Sequence, residues 1–319
     1  MYSYFMQLSK AVTITLFIFT MMPGVAHESV SISASERRAA IDGINQVLHQ
    51  HYVFPDTAEQ VAQQLSAKLN AGELEHLINH QQFAEQVASL LRKYSSDGHL
   101  GLALTAETGG VSHRLQETEE SKNNNFAFEQ AMVLPGNIGY LKLNKFWQAE
   151  QAHRIAHAAL TFLSHTDAII IDLRDSGGGS PELVSYLLSH FVPADTLLWQ
   201  IHDRTGLPTS QVVSEAVPGS ELLQTIPLYV LQSSQLVSAG EFFSYTLQQL
   251  QRATIVGETS AGLAHYTGAA KVNDWLFIRI PMYRPVFPTS GKNFEGIGVI
   301  PDIRVDAQEA LDRALKLAR

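Results

Sequence analysis

The sequence predicts an α/β protein with a small helical unit ahead of its sheet, and three observations carry that expectation. From Ser35 to Tyr94 apolar residues recur at helical spacing with little glycine. From Phe126 onward short apolar runs alternate with helical stretches, the pattern of a mixed sheet with at least part of its strands parallel. Between them Thr105–Asn125 is polar, with Gly109-Gly110 and the run Glu117-Thr-Glu-Glu-Ser-Lys-Asn-Asn-Asn125, which reads as a flexible connector. The expected division is residues 27–104 for the helical unit, 105–125 for the connector and 126–319 for the α/β unit.

Three helices are expected first. Ile41, Ile44, Val47 and Leu48 form one stripe, Val61, Leu65 and Leu69 a second, and Phe83, Val87, Leu90 and Leu91 a third. Tyr52-Val-Phe-Pro55 separates the first from the second, and Asp56 with Glu59 has the spacing of a capping box. In the second unit Phe126–Leu134 and Ile138–Leu143 flank Pro135-Gly136-Asn137 as a hairpin, and a helix follows over Ala149–Ser164. Ala168–Leu173 and Leu228–Leu231 are continuous apolar runs typical of buried strands. Each leads into a helix, the first opened by Ser180-Pro181 and the second running from Ala239 to Leu250. A late hairpin around Asn273-Asp274 joins Ala270–Val272 to Leu276–Ile280, and an Asp306-capped helix closes the chain. No internal repeat is present.

Composition narrows the function. With 319 residues, 45% hydrophobic and 17% charged, the chain is globular and large enough for a substantial core. Its net charge of −9, without a basic block, argues against a nucleic-acid partner. The absence of cysteine excludes disulfides, thiolate nucleophiles and cysteine-ligated metals. Residues 1–26 have the layout of a signal peptide: Lys10, an apolar run from Ala11 to Met22, and small residues at Gly24 and Ala26. Export to the periplasm or medium is therefore expected, with an uncleaved N-terminal anchor as the competing outcome. No later run is long and apolar enough to cross a bilayer.

Four segments carry groups suited to chemistry. Leu173-Arg-Asp-Ser-Gly177-Gly178-Gly179-Ser180-Pro181 is a glycine-rich turn between a strand and a helix, where backbone N–H groups are free to meet an anion or oxyanion. It matches neither dinucleotide nor P-loop spacing, so no cofactor is implied, and the simpler reading is a tight turn. Val237-Ser238-Ala239-Gly240-Glu241 places a serine at another strand-to-helix junction, where it can act as a nucleophile; Ser238 and Glu241 also form an ordinary capping box. Ser95-Ser96-Asp97-Gly98-His99 offers an imidazole on a loop, and Glu295-Gly-Ile-Gly-Val-Ile-Pro-Asp302 offers a carboxylate that could orient it. Each alone is also what a surface loop looks like. His153 and His157 share a helix face but lack the glutamate of a zinc-protease motif, and no metal site is expected there.

Taken in order, Tyr52–Pro55, Asp97–His99, Gly139-Tyr-Leu, Ile171–Gly179, Val237–Glu241, Val256-Gly-Glu-Thr-Ser-Ala-Gly262 and Glu295–Asp302 resemble the S41 serine peptidases. That family includes the C-terminal processing proteases, the tricorn catalytic domain and the interphotoreceptor retinoid-binding protein repeats. The resemblance implies a ClpP/crotonase-like catalytic domain behind a small helical domain, a peptide or protein substrate, and Ser238 as nucleophile. The tail-specific branch pairs its serine with a lysine where this chain has Leu263. The tricorn-like branch uses a histidine and a glutamate at the positions of His99 and Glu295, with Gly178 and Ala239 supplying oxyanion-hole N–H groups. Leu100 to Phe126 spans 26 positions, too few for the PDZ domain of ~80–100 residues that many tail-specific members insert there. The alternative is a non-catalytic protein binding an apolar ligand on the same framework.

Overall fold

The computed structural model describes residues 30–104 and 119–319. The expected signal peptide, residues 1–26, and residues 105–118 of the expected connector lie outside the described residues.

In chain order, helices α1 (Ala34–His51), α2 (Pro55–Asn70) and α3 (His80–Ser95) lead into strand β1 (Gly101–Leu104). Residues 119–125 of the expected connector hold a short helix, α4 (Glu119–Asn123), before the hairpin β2 (Phe128–Leu134) and β3 (Ile138–Leu143). Then come α5 (Glu150–Leu163), β4 (Ala168–Asp172), α6 (Pro181–Ser189), β5 (Leu197–His202), β6 (Pro208–Val213), β7 (Leu228–Gln232) and α7 (Ala239–Gln249). The chain ends with β8 (Thr254–Gly257), β9 (Tyr266–Lys271), β10 (Leu276–Val286), β11 (Ile303–Arg304) and α8 (Ala310–Leu317).

The expected α/β class holds. The main sheet has the order β11-β8-β7-β4-β3-β2, parallel except for β2, which pairs antiparallel with β3 through the expected hairpin. Side chains alternate across it, as strand geometry requires. Ile169 and Ile171 of β4 join the core under α5, α6 and α7, whereas Ile170 faces Ala310 and Ala314 of α8. Being covered on both faces, β4 is buried along its whole length, which is why it reads as an unbroken apolar run.

A second sheet, β1-β10-β5-β6 with β9 also paired to β10, lies beneath the N-terminal helices. Leu276, Ile278 and Ile280 of β10 share one core with Ile41 and Ile44 of α1, Val61 and Leu65 of α2, and Phe83 and Leu91 of α3. β1 pairs with β10 from Gly101↔Arg279 to Leu104↔Leu276. The helical unit is thereby fastened to the C-terminal half of the chain, and the turn between α3 and β1 is carried to the segment between β8 and β9, where Asp97 meets His265.

Two local expectations are corrected. The cap of α2 is Phe54, with Pro55 opening the helix and no side-chain cap hydrogen bond, so Asp56 lies inside the first turn and forms no capping box with Glu59. Asp306 precedes a 3₁₀ turn ahead of α8 and makes no side-chain cap bond there.

One buried ion pair sets the loop after β4. Asp172 is fully buried; Arg174 meets it through Nη2 at 2.6 Å and Nε at 2.9 Å, and the Tyr140 hydroxyl donates to it at 2.6 Å. Arg174 also donates from Nη1 to the Ala307 carbonyl at 2.8 Å. Burial alone would raise the Asp172 pKa, but the bonds from Arg174 and Tyr140 together hold it below its ordinary value. A carboxyl depressed in this way stabilises the fold above its unfolded pKa and loses that contribution as pH falls through the folded one. Arg174→Ala leaves a buried charge without its partner and is expected to destabilise the protein by about 3–5 kcal/mol in urea unfolding at pH 7. The gap from wild type should begin to narrow below about pH 4, where the unfolded carboxyl protonates, and narrow further as pH falls through the depressed folded value.

Candidate functional site

Four loops at the carboxyl ends of parallel strands β4, β7 and β8 and beyond β10 meet the turn between α3 and β1. This is where open α/β sheets collect their ligands. The loop after β7 presents Ser238, half-buried, with φ 53° and ψ −118°. A non-glycine residue in that conformation carries ~1–3 kcal/mol of backbone strain, which persists only where surrounding contacts impose it.

The imposing contacts come from Glu241. Its fully buried carboxylate accepts from the N–H of Ser238 at 2.8 Å, of Gly262 at 2.6 Å and of Leu263 at 2.9 Å, and from the Ser260 hydroxyl at 2.6 Å. The capping partner read from the sequence therefore also ties the Ser238 turn to the loop after β8. Burial, the largest influence, raises the pKa of Glu241 despite these four bonds.

The glycine-rich loop lies against Ser238. At Gly178, φ +77°, an added Cβ would stand 3.0 Å from both Ser238 Cβ and the Val237 carbonyl. At Gly179, φ +141°, it would stand 2.1 Å from the Phe146 carbonyl, a collision no side chain avoids. The loop is pinned from behind by Phe146 N–H donating to the Gly178 carbonyl at 2.9 Å and Ser180 N–H donating to Phe146 at 2.6 Å. Neither the Gly178 nor the Ala239 N–H donates to an acceptor among the described residues.

A cleft of about 190 Å³ is walled by Gly179, Ser238, Ala239, Phe242, His265 and Tyr266, among others. The imidazole sharing this cleft with Ser238 is thus His265, from the segment between β8 and β9, which the sequence reading did not single out. A second cavity of about 300 Å³ on the other side of His265 is walled by Asp97, Glu295, Tyr52 and Arg284. His265 stands between the serine and the acids.

His265 Nδ1 lies 3.1 Å from Asp97 Oδ2 and 3.5 Å from Glu295 Oε2, while its Nε2 is buried with no hydrogen-bond partner among the described residues. Asp97 is held by the Tyr52 hydroxyl at 3.0 Å and by the His99 N–H at 2.9 Å. Phe54 packs edge-on against the His265 ring, with centroids 5.2 Å apart. The Tyr52–Pro55 segment thereby braces both members of the His265–Asp97 pair. Burial would raise the Asp97 pKa, yet hydrogen bonds from His265 and His99 outweigh it and keep the carboxyl well below the usual range. Glu295 goes the other way: burial raises it more than the nearby His265 lowers it. Its Oε2 accepts from Ala264 N–H at 2.6 Å, fixing the residue next to His265.

The expected site residues are distributed as follows. His99 and Glu295 converge, together with Asp97 and His265, in one group whose four ligand atoms all lie within 4.8 Å of one another. The His99 ring is buried behind His265, with centroids 6.2 Å apart, and neither of its nitrogens has a hydrogen-bond partner among the described residues. Ser238 lies across the cleft, flanked by Gly178 and Ala239. Lys271, the nearest lysine downstream of Leu263, is on β9, exposed and paired with Asp274 at 2.8 Å. His153 stacks on Tyr186 and is no part of this group.

A family profile described as "Peptidase family S41" matches residues 137–305, and one described as the N-terminal domain of Peptidase_S41 in eukaryotic IRBP matches residues 28–133. The carboxyl-terminal-processing protease of Synechocystis sp. is 27% identical over 170 residues, covering 53% of this chain and 38% of that one. The chain spans about two-fifths of the length of the curated relatives it matches, 38% or 39%. A protein from Parabacteroides merdae, provisionally assigned as a peptidase, superposes with a TM-score of 0.63 at 16% identity, covering 88% of this chain and 96% of that one. The photosystem II D1 C-terminal processing protease does so at 0.55 and 17%, covering 89% and 98%. At such identities the structural likeness shows the shared fold. Among the described residues no helix is long and apolar enough to cross a membrane.

Proposed function

The chain belongs to peptidase family S41, and on that premise we propose that it is a serine peptidase that cleaves peptide bonds through an acyl-enzyme on Ser238. The observation that carries this reading is the cleft that Ser238 and His265 share, with Asp97 bonded to the far nitrogen of the same imidazole. Hydroxyl oxygen is a weak nucleophile until a base takes its proton. With Nδ1 committed to Asp97, His265 Nε2 is the nitrogen left to accept that proton and later return it to the leaving amine. Asp97 balances the imidazolium charge and, with its depressed pKa, stays ionised throughout. The N–H groups of Gly178 and Ala239 are the donors for the developing oxyanion, each worth about 3 kcal/mol in the transition state.

A second assignment of the base remains in view. His99 with Glu295 is the pair implied by the tricorn-like branch, and both belong to the same four-residue group. The cleft favours His265, which lines it together with Ser238, whereas His99 does not.

Phe242 and Tyr266 give the cleft an aromatic wall. Its volume is below the ~300–1,000 Å³ of small-molecule sites, which favours a single substrate side chain over a bulky apolar ligand. The test is incubation of the full chain with a mixture of unstructured peptides, read by mass spectrometry. Wild type is expected to yield new termini with a common apolar preference that Ser238→Ala does not produce. Intact peptides, together with a lipid retained in native mass spectrometry, would support the apolar-ligand binder. Export is part of the same proposal; a secreted chain beginning at His27 is its expected signature.

A further inference from the structure

We propose that Asp97, His99, His265 and Glu295 form a binding site for a divalent transition ion, with zinc the best match, and that its occupancy switches the peptidase off. The switching half rests on the function proposed above; the binding half does not.

The donor geometry is the first observation. A tetrahedral zinc bound at about 2.0–2.1 Å sets its donors about 3.3–3.4 Å apart. The distances here include 3.1 Å from His265 Nδ1 to Asp97 Oδ2, 3.5 Å from His265 Nδ1 to Glu295 Oε2 and 3.5 Å from His99 Nδ1 to Asp97 Oδ1. The widest separation in the set is no more than 4.8 Å.

The second observation is the burial of the His99 ring. His99 is only 6% exposed, yet apart from the 3.5 Å approach of Nδ1 to Asp97 neither ring nitrogen has a hydrogen-bond partner among the described residues. A buried imidazole without partners forfeits the bonds it would make in water. Metal ligation supplies the missing partner. Two imidazoles and two carboxylates, with no thiolate, suit zinc better than magnesium or calcium, which prefer all-oxygen shells.

Access and consequence follow from the surroundings. Asp97, His265 and Glu295 line the 300 Å³ cavity, and the Glu295 side chain is 17% exposed, so an ion can reach the cluster without passing the serine. Once bound it occupies both Asp97 and His265. The imidazole loses the carboxylate that orients it, and the serine loses its base.

The test uses the full chain carrying Ser238→Ala, so that binding is read without catalysis. After chelator treatment, titration calorimetry with Zn²⁺ is expected to give one ion per chain, and Co²⁺ is expected to give the visible bands of a tetrahedral centre. Adding His99→Gln or Glu295→Gln should weaken zinc by about tenfold or more. The Glu295 change, at a partly exposed position, serves if the buried histidine change impairs folding. Failure to take up stoichiometric zinc, or affinity unchanged in both variants, overturns the site. In wild type, zinc should block fluorophosphonate labelling of Ser238 and a chelator should restore it; labelling unaffected by bound zinc overturns the switch. A metal-free wild type that never labels contradicts the peptidase reading alone, because uptake by Ser238→Ala is measured without it.

Discussion

Ser238→Ala is expected to lower peptide hydrolysis by about 10⁴–10⁶-fold while leaving the fold intact. The loss is large because the remaining groups act on the serine: an imidazole with no hydroxyl to deprotonate, and oxyanion donors with no tetrahedral intermediate to hold. A companion substitution separates chemistry from strain. Ser238 sits at φ 53° and ψ −118°, where relief of ~1–3 kcal/mol of strain outweighs the ~0.5–1 kcal/mol that glycine loses through its freer unfolded chain. Ser238→Gly should therefore be as inactive as the alanine variant and more stable than wild type by about 1 kcal/mol, read as a higher midpoint in chemical denaturation.

Glu241→Ala is expected to be the most damaging substitution in the site that removes no reacting atom. The N–H groups of Ser238, Gly262 and Leu263 and the Ser260 hydroxyl all lose their acceptor together. At roughly 1–3 kcal/mol for each buried donor left unpaired, and with water re-entering to satisfy some, the cost should be about 3–5 kcal/mol. For a chain of this size that lowers the melting temperature by about 10 °C. Activity should fall by about a hundredfold or more even well below the melting temperature, with kcat lost more than KM rises, because the variant frees both the serine turn and the loop leading to His265.

How far the sequence revealed this arrangement depends on the range of the interaction involved. α1, α2 and α3 were legible because each buries one stripe, and β4 because both of its faces are covered. β5 and β6 were missed: β6 begins at Pro208 and is mostly exposed, so it shows no alternation. The short strands β1 and β8 lacked the length to signal themselves. Within the site, Ser238, His99 and Glu295 stood out because motif order brought them forward. His265 did not, although it lies only two residues beyond Leu263, where the tail-specific lysine would be. What moves the base onward is the chain path: Glu241 pins Gly262 and Leu263, Glu295 pins Ala264, and β9 starts at Tyr266, so the residue delivered to the cleft is the histidine between them. Asp97 and Tyr52 are 45 residues apart and meet only because α3 and the α1–α2 turn pack on the same sheet. Periodicity carries no trace of such contacts.

The pairing of Ser238 with His265 is tested most directly by the rate at which a fluorophosphonate labels Ser238 in wild type, His265→Gln and His99→Gln, all freed of metal. The predicted order is rapid labelling of wild type, slowing by about a thousandfold in His265→Gln, and a rate within about tenfold of wild type in His99→Gln. Equal rates for wild type and His265→Gln, with His99→Gln slowed by about a thousandfold instead, would contradict it and return the base to His99.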